Sequence, residues 1–186
     1  APSGGNVQPW KVDVLLGARL DDFKALIQEK LARGELEEPQ YDVYPKGLWE
    51  PHRSYRYKVG EDMYGLVGIG REDKLARMGQ LAKNFQFFGA PVGMFFTLDP
   101  RFGPPQWSDV GMYMQTLMLL ATEAGLDTCA QESWSRWPQT VIEFCGLPEG
   151  AIVFSGMALG FRDDEHPINR LRADRAGLDD FATFHE

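Results

Sequence analysis

The pattern of apolar and polar positions near the start of the chain predicts a strand followed by a helix. Residues 10–16 (WKVDVLL) alternate and then become apolar, which is typical of a strand that ends before Gly17. Apolar side chains then recur every three or four residues, at Leu20, Phe23, Ile27 and Leu31. This period places them on one face, and Gly34 is a stop signal, so an amphipathic helix is predicted here.

Residues 35–69 show no clear period and are rich in aromatic side chains, prolines and charges. Segments of this kind are often lids or binding loops. A surface excursion whose aromatics fill a small satellite cluster explains the composition as well, and we favour that interpretation. Gly65, Gly68 and Gly70 lack the spacing of a dinucleotide-binding fingerprint, so no such site is predicted.

Helix and strand patterns alternate over the rest of the chain. They predict helices from Glu72 to Gly89, from Ser108 or Asp109 to Ala124, and from Ser135 through Pro138 to Gly146, with strands over 92–98, 126–132 and 152–161. The middle helix is apolar nearly all the way round, which favours burial at the centre of the fold or against a second subunit. No repeat or linker interrupts the pattern. The sequence therefore predicts one domain over residues 1–186, in an α+β or α/β fold whose sheet is covered on both faces.

Composition limits the classes of function. The formal net charge of −8 over 186 residues argues against general binding of nucleic acid or adhesion to an anionic membrane. No apolar run is long enough to span a bilayer. Cys129 and Cys145 lie in apolar surroundings without metal-ligand spacing, so reduced thiols and a cytoplasmic location are expected. His52, His166 and His185 are dispersed, and no metal site is predicted.

The sequence lacks the usual catalytic constellations. Ser3 has no Gly-x-Ser-x-Gly setting, the carboxylates form no recognisable acid/base pair, and no phosphate-binding Walker loop is present. Residues 1–10 (APSGGNVQPW) instead combine glycines, prolines and small uncharged polar side chains, which suit the edge of a flat heterocycle. The lack of a catalytic constellation fits a protein whose cofactor supplies the reaction. A frayed N-terminus would explain the composition of these ten residues equally well.

Four ordered segments resemble the nitroreductase family, whose members hold FMN at a dimer interface. The first is the opening loop, residues 1–10, which is similar to the family pattern APS-x-x-N-x-Q-P-W. The others are 84–91 (NFQFFGAP), 125–133 (GLDTCAQES), and 156–161 (GMALGF) with the basic stretch 167–175 after it. Each motif is weak by itself, but the ordered set spans nearly the whole chain. On this set the chain is identified as a member of the family.

This resemblance implies a fold, a cofactor and an assembly. The expected fold is α+β, a three-layer α/β/α sandwich around a mixed, mainly antiparallel sheet. A homodimer that exchanges extended chain between its subunits would hold FMN in two interfacial pockets. The implied activity passes hydride from NAD(P)H through flavin N5 to a nitroaromatic, a quinone or a similar flat small molecule. It runs in two half-reactions and needs no dedicated catalytic side chain.

The resemblance also implies roles for individual residues. The residues expected to bind FMN are Pro2, Ser3, Asn6, Gln8, Ala130, Gln131, Glu132, Arg172 and Arg175. Ser3 and Asn6 would address the pyrimidine edge, and Gln8 would hold their loop. The backbone N–H of Glu132 would point at flavin N5, and the two arginines would meet the phosphate. The aromatics that are candidates for the substrate pocket are Tyr41, Tyr44, Trp49, Tyr64 and Phe88.

The sequence departs from the family pattern in two places. Ala130 stands where many members have proline, a mild change in loop stiffness. Members also carry a helix and an arginine-rich loop ahead of the opening loop, which the sequence from Ala1 onward does not include. Three alternatives therefore stay open: reductive dehalogenation, breakdown of the flavin, and a flavin-binding dimer without catalysis.

Overall fold

The computed structural model of the chain describes residues 1–185. These residues form two compact units. The first unit comprises Ala1–Val43 and Gly79–Arg162, and the second comprises Tyr44–Met78 and the chain from Asp163 onward. The single domain expected over residues 1–186 stays a prediction.

The first unit is built on a sheet of four strands in the order β1-β2-β4-β3. The strands are β1 (Lys11–Leu16), β2 (Val92–Leu98), β3 (Asp127–Gln131) and β4 (Ile152–Gly160). Each one coincides with a strand that the hydrophobic pattern predicts. All three pairings are antiparallel, so within residues 1–185 only the antiparallel part of the expected mixed sheet is seen.

Helices cover both faces of this sheet. Phe95 of β2 enters a core that includes residues of α1 (Gly17–Ala32) and α5 (Pro138–Cys145). Its neighbours Met94 and Phe96 enter a second core with α4 (Pro104–Glu123). Successive side chains of a strand point to opposite faces, so the sheet of the first unit lies between two helical layers. The predicted three-layer α+β arrangement is confirmed.

The first core is rich in aromatic side chains and contains Trp134, whose side chain is fully buried. The ring centroids of Phe23, Phe85, Phe87 and Phe95 lie 4.7–5.3 Å from that of Trp134. Tilted, edge-on and stacked pairs at these separations add to the free energy gained by burial. Trp134 belongs to the 3-10 turn Glu132–Arg136 that directly follows β3. The core therefore fixes the segment that the family resemblance places at the cofactor.

The second unit contains a helix that the sequence analysis did not predict. Helix α2 (His52–Leu66) lies within the segment 35–69 that shows no period, and none of its residues is buried. Its aliphatic side chains Val59, Met63 and Leu66 come late in the helix among charged residues and tyrosines, so the apolar period is weak. Pairs one turn apart, such as Lys58 and Asp62, support it instead. The short helix α6 (Leu178–Phe181) follows in the C-terminal stretch.

Three predicted helix boundaries are wrong. Helix α3 covers only Lys74–Ala82 and continues as the 3-10 turn Lys83–Gly89, in which Phe87 and Phe88 have positive φ angles of 49° and 52°. Helices α4 and α5 begin at Pro104 and Pro138, the position where proline fits a helix start. The residues before them are Gly103 and Trp137, so Ser108, Asp109 and Ser135 do not cap these helices.

Leu75, Met78, Ala82 and Phe85 recur at helical spacing and predict one buried face, but this prediction is wrong in part, since Leu75 and Met78 are 81% and 67% exposed. Phe85, assigned to the same face, is buried but lies in the 3-10 turn that follows the helix. Within residues 1–185, no helix combines the length and the apolar character needed to cross a membrane.

Candidate functional site

The opening loop folds back on itself through its small polar side chains. The Gln8 N–H donates to Ser3 Oγ at 3.0 Å, and Gln8 Nε2 donates to Asn6 Oδ1 at 3.1 Å. Asn6 and Gln8 have positive φ angles of 56° and 51°, which residues other than glycine rarely adopt. Pro2, Asn6 and Gln8 are exposed and Ser3 is partly buried. The loop thus holds a strained shape while its amide groups face outward.

Helix α4 anchors the opening loop at two points. The Gly4 N–H donates to Asp109 Oδ1 at 3.1 Å, and the Trp10 ring stacks on Tyr113 with centroids 4.8 Å apart. Asp109 and Tyr113 are four residues apart, so they lie on one face of the helix. Asp109 is only 3% exposed, and its Oδ2 is buried without a hydrogen-bond donor among residues 1–185.

At the end of β3, the backbone is open to solvent around a side chain that is buried. Ala130 and Glu132 are exposed, whereas Gln131 between them is 2% exposed. Gln131 Nε2 donates to the Asn84 carbonyl at 2.8 Å, and Trp134 Nε1 donates to Gln131 Oε1 at 3.3 Å. The side chain of Gln131 is therefore held at both ends inside the protein. Its contribution to a ligand site is to fix the backbone that leads into Glu132.

Phe88 is placed at the surface by the same strained turn that buries its neighbour. Phe87 is fully buried and stacks on Trp134, with centroids 4.7 Å apart, whereas Phe88 is exposed. Both residues have positive φ angles. Such a conformation persists only where the surroundings enforce it, and it occurs often at functional sites. Of the aromatics predicted for the substrate pocket, Phe88 is the one in the first unit that remains open to solvent.

Tyr41 is not free to receive a substrate, because both ends of its side chain are engaged. Its hydroxyl donates to the Phe154 carbonyl, and its ring lies edge-on to Trp107 with centroids 5.3 Å apart. Burial raises the pKa of Tyr41, the nearby Glu132 carboxylate adds to this rise, and a hydrogen bond with Ser135 opposes it. Tyr41 therefore lies beside the Glu132–Arg136 turn as a support.

Glu37 and Gln40 precede Tyr41 and also bind the first unit through their side chains, and sequence reasoning missed both. The Glu37 carboxylate accepts from the Gln139 N–H at 2.7 Å and from the Thr140 N–H at the start of α5. The Gln40 amide donates to the Ala151 carbonyl at 2.7 Å and accepts from the Val153 N–H at 2.8 Å. These partners lie more than a hundred residues away in sequence, so no local pattern could reveal them.

The two arginines predicted to bind phosphate lie in the second unit, and both are exposed. Nη1 of Arg172 donates to the Asn169 and Leu171 carbonyls, and Nη1 of Arg175 donates to the Ala173 and Asp174 carbonyls. In the described part of the chain, neither guanidinium forms an ion pair with a carboxylate. Each one therefore keeps its charge uncompensated and available to an anion.

Arg175 also borders a cleft of about 450 Å³ between α2 and the C-terminal stretch. The cleft is lined by Ser54, Tyr55, Tyr57, Lys58, Val59, Asp62, Ala173, Asp174 and Arg175. Its other cation, Lys58, is paired with Asp62 at 2.6 Å and Asp174 at 3.0 Å, and the first of these contacts is the main cause of a raised pKa for Lys58. Arg175 is thus the unpaired cation of this cleft.

The three remaining predicted aromatics lie in the second unit with Arg172 and Arg175. Guanidinium groups cover two of them, Arg56 at 4.3 Å from the Tyr44 centroid and Arg77 at 4.2 Å from that of Tyr64. Trp49 is 60% exposed and lies edge-on to His52. The structure thus brings the opening loop, the Ala130–Glu132 backbone, Tyr41 and Phe88 into the first unit, and the other predicted site residues into the second.

Neither cysteine forms a disulfide. Burial raises the pKa of the Cys145 thiol to about 11, and the Asp13 carboxylate contributes to the rise. Among the described residues, no three histidine, cysteine or acidic side chains come together in a way that could hold a metal ion.

Comparison with known proteins places this geometry in a family. A profile of the Nitroreductase family matches residues 1–161. Over 184 residues the chain is 36% identical to the 4-nitrobenzoate reductase of Pseudomonas putida, covering 99% of this chain and 80% of that protein. Over 192 residues it is 35% identical to the nitrobenzene nitroreductase of Ectopseudomonas oleovorans, covering 100% of this chain and 83% of that protein.

Solved structures agree with these matches. The FMN- and NADPH-dependent nitroreductase NfnB from Sphigopyxis sp. strain HMH superposes with a TM-score of 0.96 at 42% identity, covering 100% of this chain and 84% of that one. NfnB of Mycobacterium smegmatis, solved in complex with NADPH, gives a TM-score of 0.92 at 29% identity, covering 100% and 83%. These likenesses extend over the opening loop, the end of β3 and the C-terminal arginines alike. The chain belongs to the nitroreductase family.

Proposed function

We propose that this protein is an FMN-dependent oxidoreductase that uses NAD(P)H to reduce nitroaromatic compounds, quinones or similar flat acceptors. The observation that carries the proposal is the whole-chain likeness to an FMN- and NADPH-dependent nitroreductase, with a TM-score of 0.96 at 42% identity. Relatives that reduce 4-nitrobenzoate and nitrobenzene, by their names, support the class of acceptor. The proposed unit of function is a single domain over residues 1–186.

The donor groups of this chain fit FMN. Ser3, Asn6 and Gln8 offer uncharged donors and acceptors, which match the pyrimidine edge of a flavin. Arg172 and Arg175 carry guanidinium groups without a carboxylate partner in the described part of the chain, which match a phosphate. When bound, FMN would supply the hydride-transfer chemistry that links NAD(P)H to the acceptor, so that both substrates could use one pocket in turn.

The residues of the chain would supply binding and orientation. Ser3 and Asn6 would hold the heterocycle edge, and Pro2 and Gln8 would keep their loop in shape. Ala130 and Gln131 would lead the backbone past the ring, and the N–H of Glu132 would stabilise negative charge at N5. The buried, doubly bonded side chain of Gln131 supports this role, because it fixes the peptide that carries the donor.

The proposal extends to a homodimer in the cytoplasm. Leu119 and Leu120 of α4 are 61% and 56% exposed, and Met112 is exposed as well. An apolar helix face of this kind is more stable against a second copy than in water. The two free thiols are compatible with a reducing compartment. Among the predicted substrate residues, exposed Phe88, Tyr44 and Trp49 are the candidates to contact an acceptor. Tyr41 and Tyr64 are each engaged by contacts inside their own unit.

The test is anaerobic reconstitution of the purified full-length protein with FMN. We expect flavin absorption to co-elute with the protein, to bleach on addition of NADPH or NADH, and to return on addition of 4-nitrobenzoate. Product analysis separates the alternatives, since release of halide would indicate dehalogenation and loss of the flavin would indicate its breakdown. Failure of the protein to bind FMN would refute the proposal, and binding without turnover would favour a non-catalytic dimer.

A further inference from the structure

Asp109 is the buried carboxylate of α4 that the proposed function leaves without a role. It is 3% exposed, its Oδ1 accepts from the Gly4 N–H at 3.1 Å, and its Oδ2 is buried without a donor among residues 1–185. Removing a carboxylate from water costs free energy unless hydrogen bonds satisfy it. A hydrophobic residue at this position would pack into α4 at less cost, so the carboxylate needs an explanation beyond packing.

The partner of Asp109 is a loop that needs external support. Asn6 and Gln8 hold positive φ angles, and the bonds inside the loop link only residues 3–8 to one another. Internal bonds of this kind do not orient the loop on the protein. The Gly4–Asp109 bond does so at one end and the Trp10–Tyr113 stack at the other. Because Asp109 and Tyr113 are one helical turn apart, a single face of α4 sets both ends.

We infer that Asp109 is a positioning residue that holds the opening loop in its cofactor-binding shape by accepting from the Gly4 N–H. This inference rests on the proposed function, since it concerns the loop that carries Ser3 and Asn6. Asp109 acts through the backbone and need not touch the flavin. Its removal therefore weakens FMN binding by letting the loop relax toward other conformations, while the fold of the sheet and its two cores remains.

Gly4 offers a way to break this bond without altering the buried helix. Gly4 is the first residue of the short 3-10 helix Gly4–Asn6, and Ser3 before it is extended at φ −149° and ψ 149°. Proline is accepted at a first helical position, and it prefers an extended residue before it. Gly4→Pro therefore removes the N–H donor at a position that suits proline. Gly4→Ala keeps the donor, and its Cβ would meet no atom within 4 Å.

The experiment compares Gly4→Pro, Gly4→Ala, Asp109→Leu, Asp109→Asn and the Gly4→Pro/Asp109→Leu double variant with the wild-type protein. FMN affinity is measured from the quenching of flavin fluorescence. Amide hydrogen exchange of a peptide covering residues 1–10 is measured on the apoprotein, together with its melting temperature. The exchange readout reports on the loop without any flavin, so it stands even if FMN does not bind.

We expect Gly4→Pro and Asp109→Leu each to weaken FMN binding about tenfold, the factor for loss of ~1.4 kcal/mol. The double variant should be no weaker than either single one, because both remove the same bond. Exchange of residues 1–10 should speed up in these three variants. The FMN affinities of Gly4→Ala and Asp109→Asn should stay within about threefold of wild type. The first variant keeps the backbone N–H of residue 4, and the second keeps a side-chain oxygen that can accept from it.

Normal FMN affinity and normal exchange in Gly4→Pro would overturn the inference, and so would additive effects in the double variant. A fall in melting temperature shared equally by Asp109→Leu and Asp109→Asn, with unchanged loop exchange, would also overturn it in favour of a purely structural role. Failure of the wild-type protein to bind FMN would instead contradict the proposed function. In that case the exchange rates alone still decide whether Asp109 holds the loop.

Discussion

The indole ring of Trp134 lies directly against the backbone of Gly156, so closely that a Cβ on Gly156 would come within 2.2 Å of its Cδ1. Gly156 is in β4, opposite Gln131 of β3 and Phe95 of β2. The contact lets the fully buried indole of Trp134 pack directly on the sheet, next to the end of β3 that leads to Glu132. The glycine of the motif GMALGF is therefore required by packing.

This contact predicts that Gly156→Ala destabilises the protein strongly. The added methyl group overlaps a ring that is itself enclosed by aromatics, so the free energy of unfolding should fall by about 3 kcal/mol. Urea unfolding followed by Trp fluorescence measures the change. The control is Gly79→Ala in the exposed part of α3, where no atom lies within 4 Å, and it should raise stability by about 0.5–1 kcal/mol. Equal stability of the two variants would contradict the argument.

The two hydrogen bonds of the buried Gln131 side chain predict a smaller loss of stability when that side chain is replaced. Gln131→Leu keeps the volume of the side chain but leaves Trp134 Nε1 and the Asn84 carbonyl without their partner, which should cost about 2 kcal/mol. Asn84→Ala is the matched control, because the shorter contact from Gln131 goes to the Asn84 backbone and survives the change. The control should lose less than about 1 kcal/mol. Thermal unfolding measures both, and a Gln131→Leu variant as stable as wild type would show that these bonds contribute nothing.

The sequence predicts best where burial has a local period. Leu20, Phe23 and Ile27 recur at helical spacing, and all three are buried in the first core, so α1 is predicted correctly. Helix α2 could not be predicted in this way, because none of its residues is buried and its few aliphatic side chains, Val59, Met63 and Leu66, give only a weak period. The predicted start of α4 is wrong for a different reason. Asp109 is a typical capping residue by type, but here its carboxylate serves the Gly4 N–H more than a hundred residues away.

The candidate site shows the same division. The small polar residues of the opening loop can be recognised from sequence, since their types and spacing form a motif. The burial of Gln131 cannot, because it depends on Asn84, 47 residues earlier in the chain. Tyr41 is another example. The aromatic-rich segment around it suggests a pocket residue, whereas its hydroxyl donates to the Phe154 carbonyl. Which polar side chains face a ligand and which face the protein is decided by contacts that only the fold brings together.

The pKa of Cys145 predicts slow alkylation of its thiol. Only the thiolate reacts with iodoacetamide, and burial raises the pKa of this thiol to about 11. At pH 8 the folded protein would then hold roughly 200-fold less thiolate than an unfolded chain, whose cysteine has a pKa of ~8.5. The Cys129→Ala variant isolates Cys145, and mass spectrometry follows its alkylation with and without urea. The rate should rise as pH increases toward 11, and folded and unfolded rates within tenfold at pH 8 would contradict the raised pKa.

Arg172 and Arg175 predict a selective loss of affinity for the phosphate of FMN. Each guanidinium lacks a carboxylate partner within residues 1–185, so replacing either with alanine should weaken FMN binding about tenfold, as expected for the loss of a charge-assisted hydrogen bond. Riboflavin, which has the same ring system without the phosphate, should bind the variants and the wild type equally. Arg101→Ala is the control, because that exposed side chain is already paired with Asp99 at 2.7 Å. Parallel losses for FMN and riboflavin would show that these arginines act on the fold of the C-terminal stretch, whereas a loss confined to FMN identifies them as its phosphate ligands.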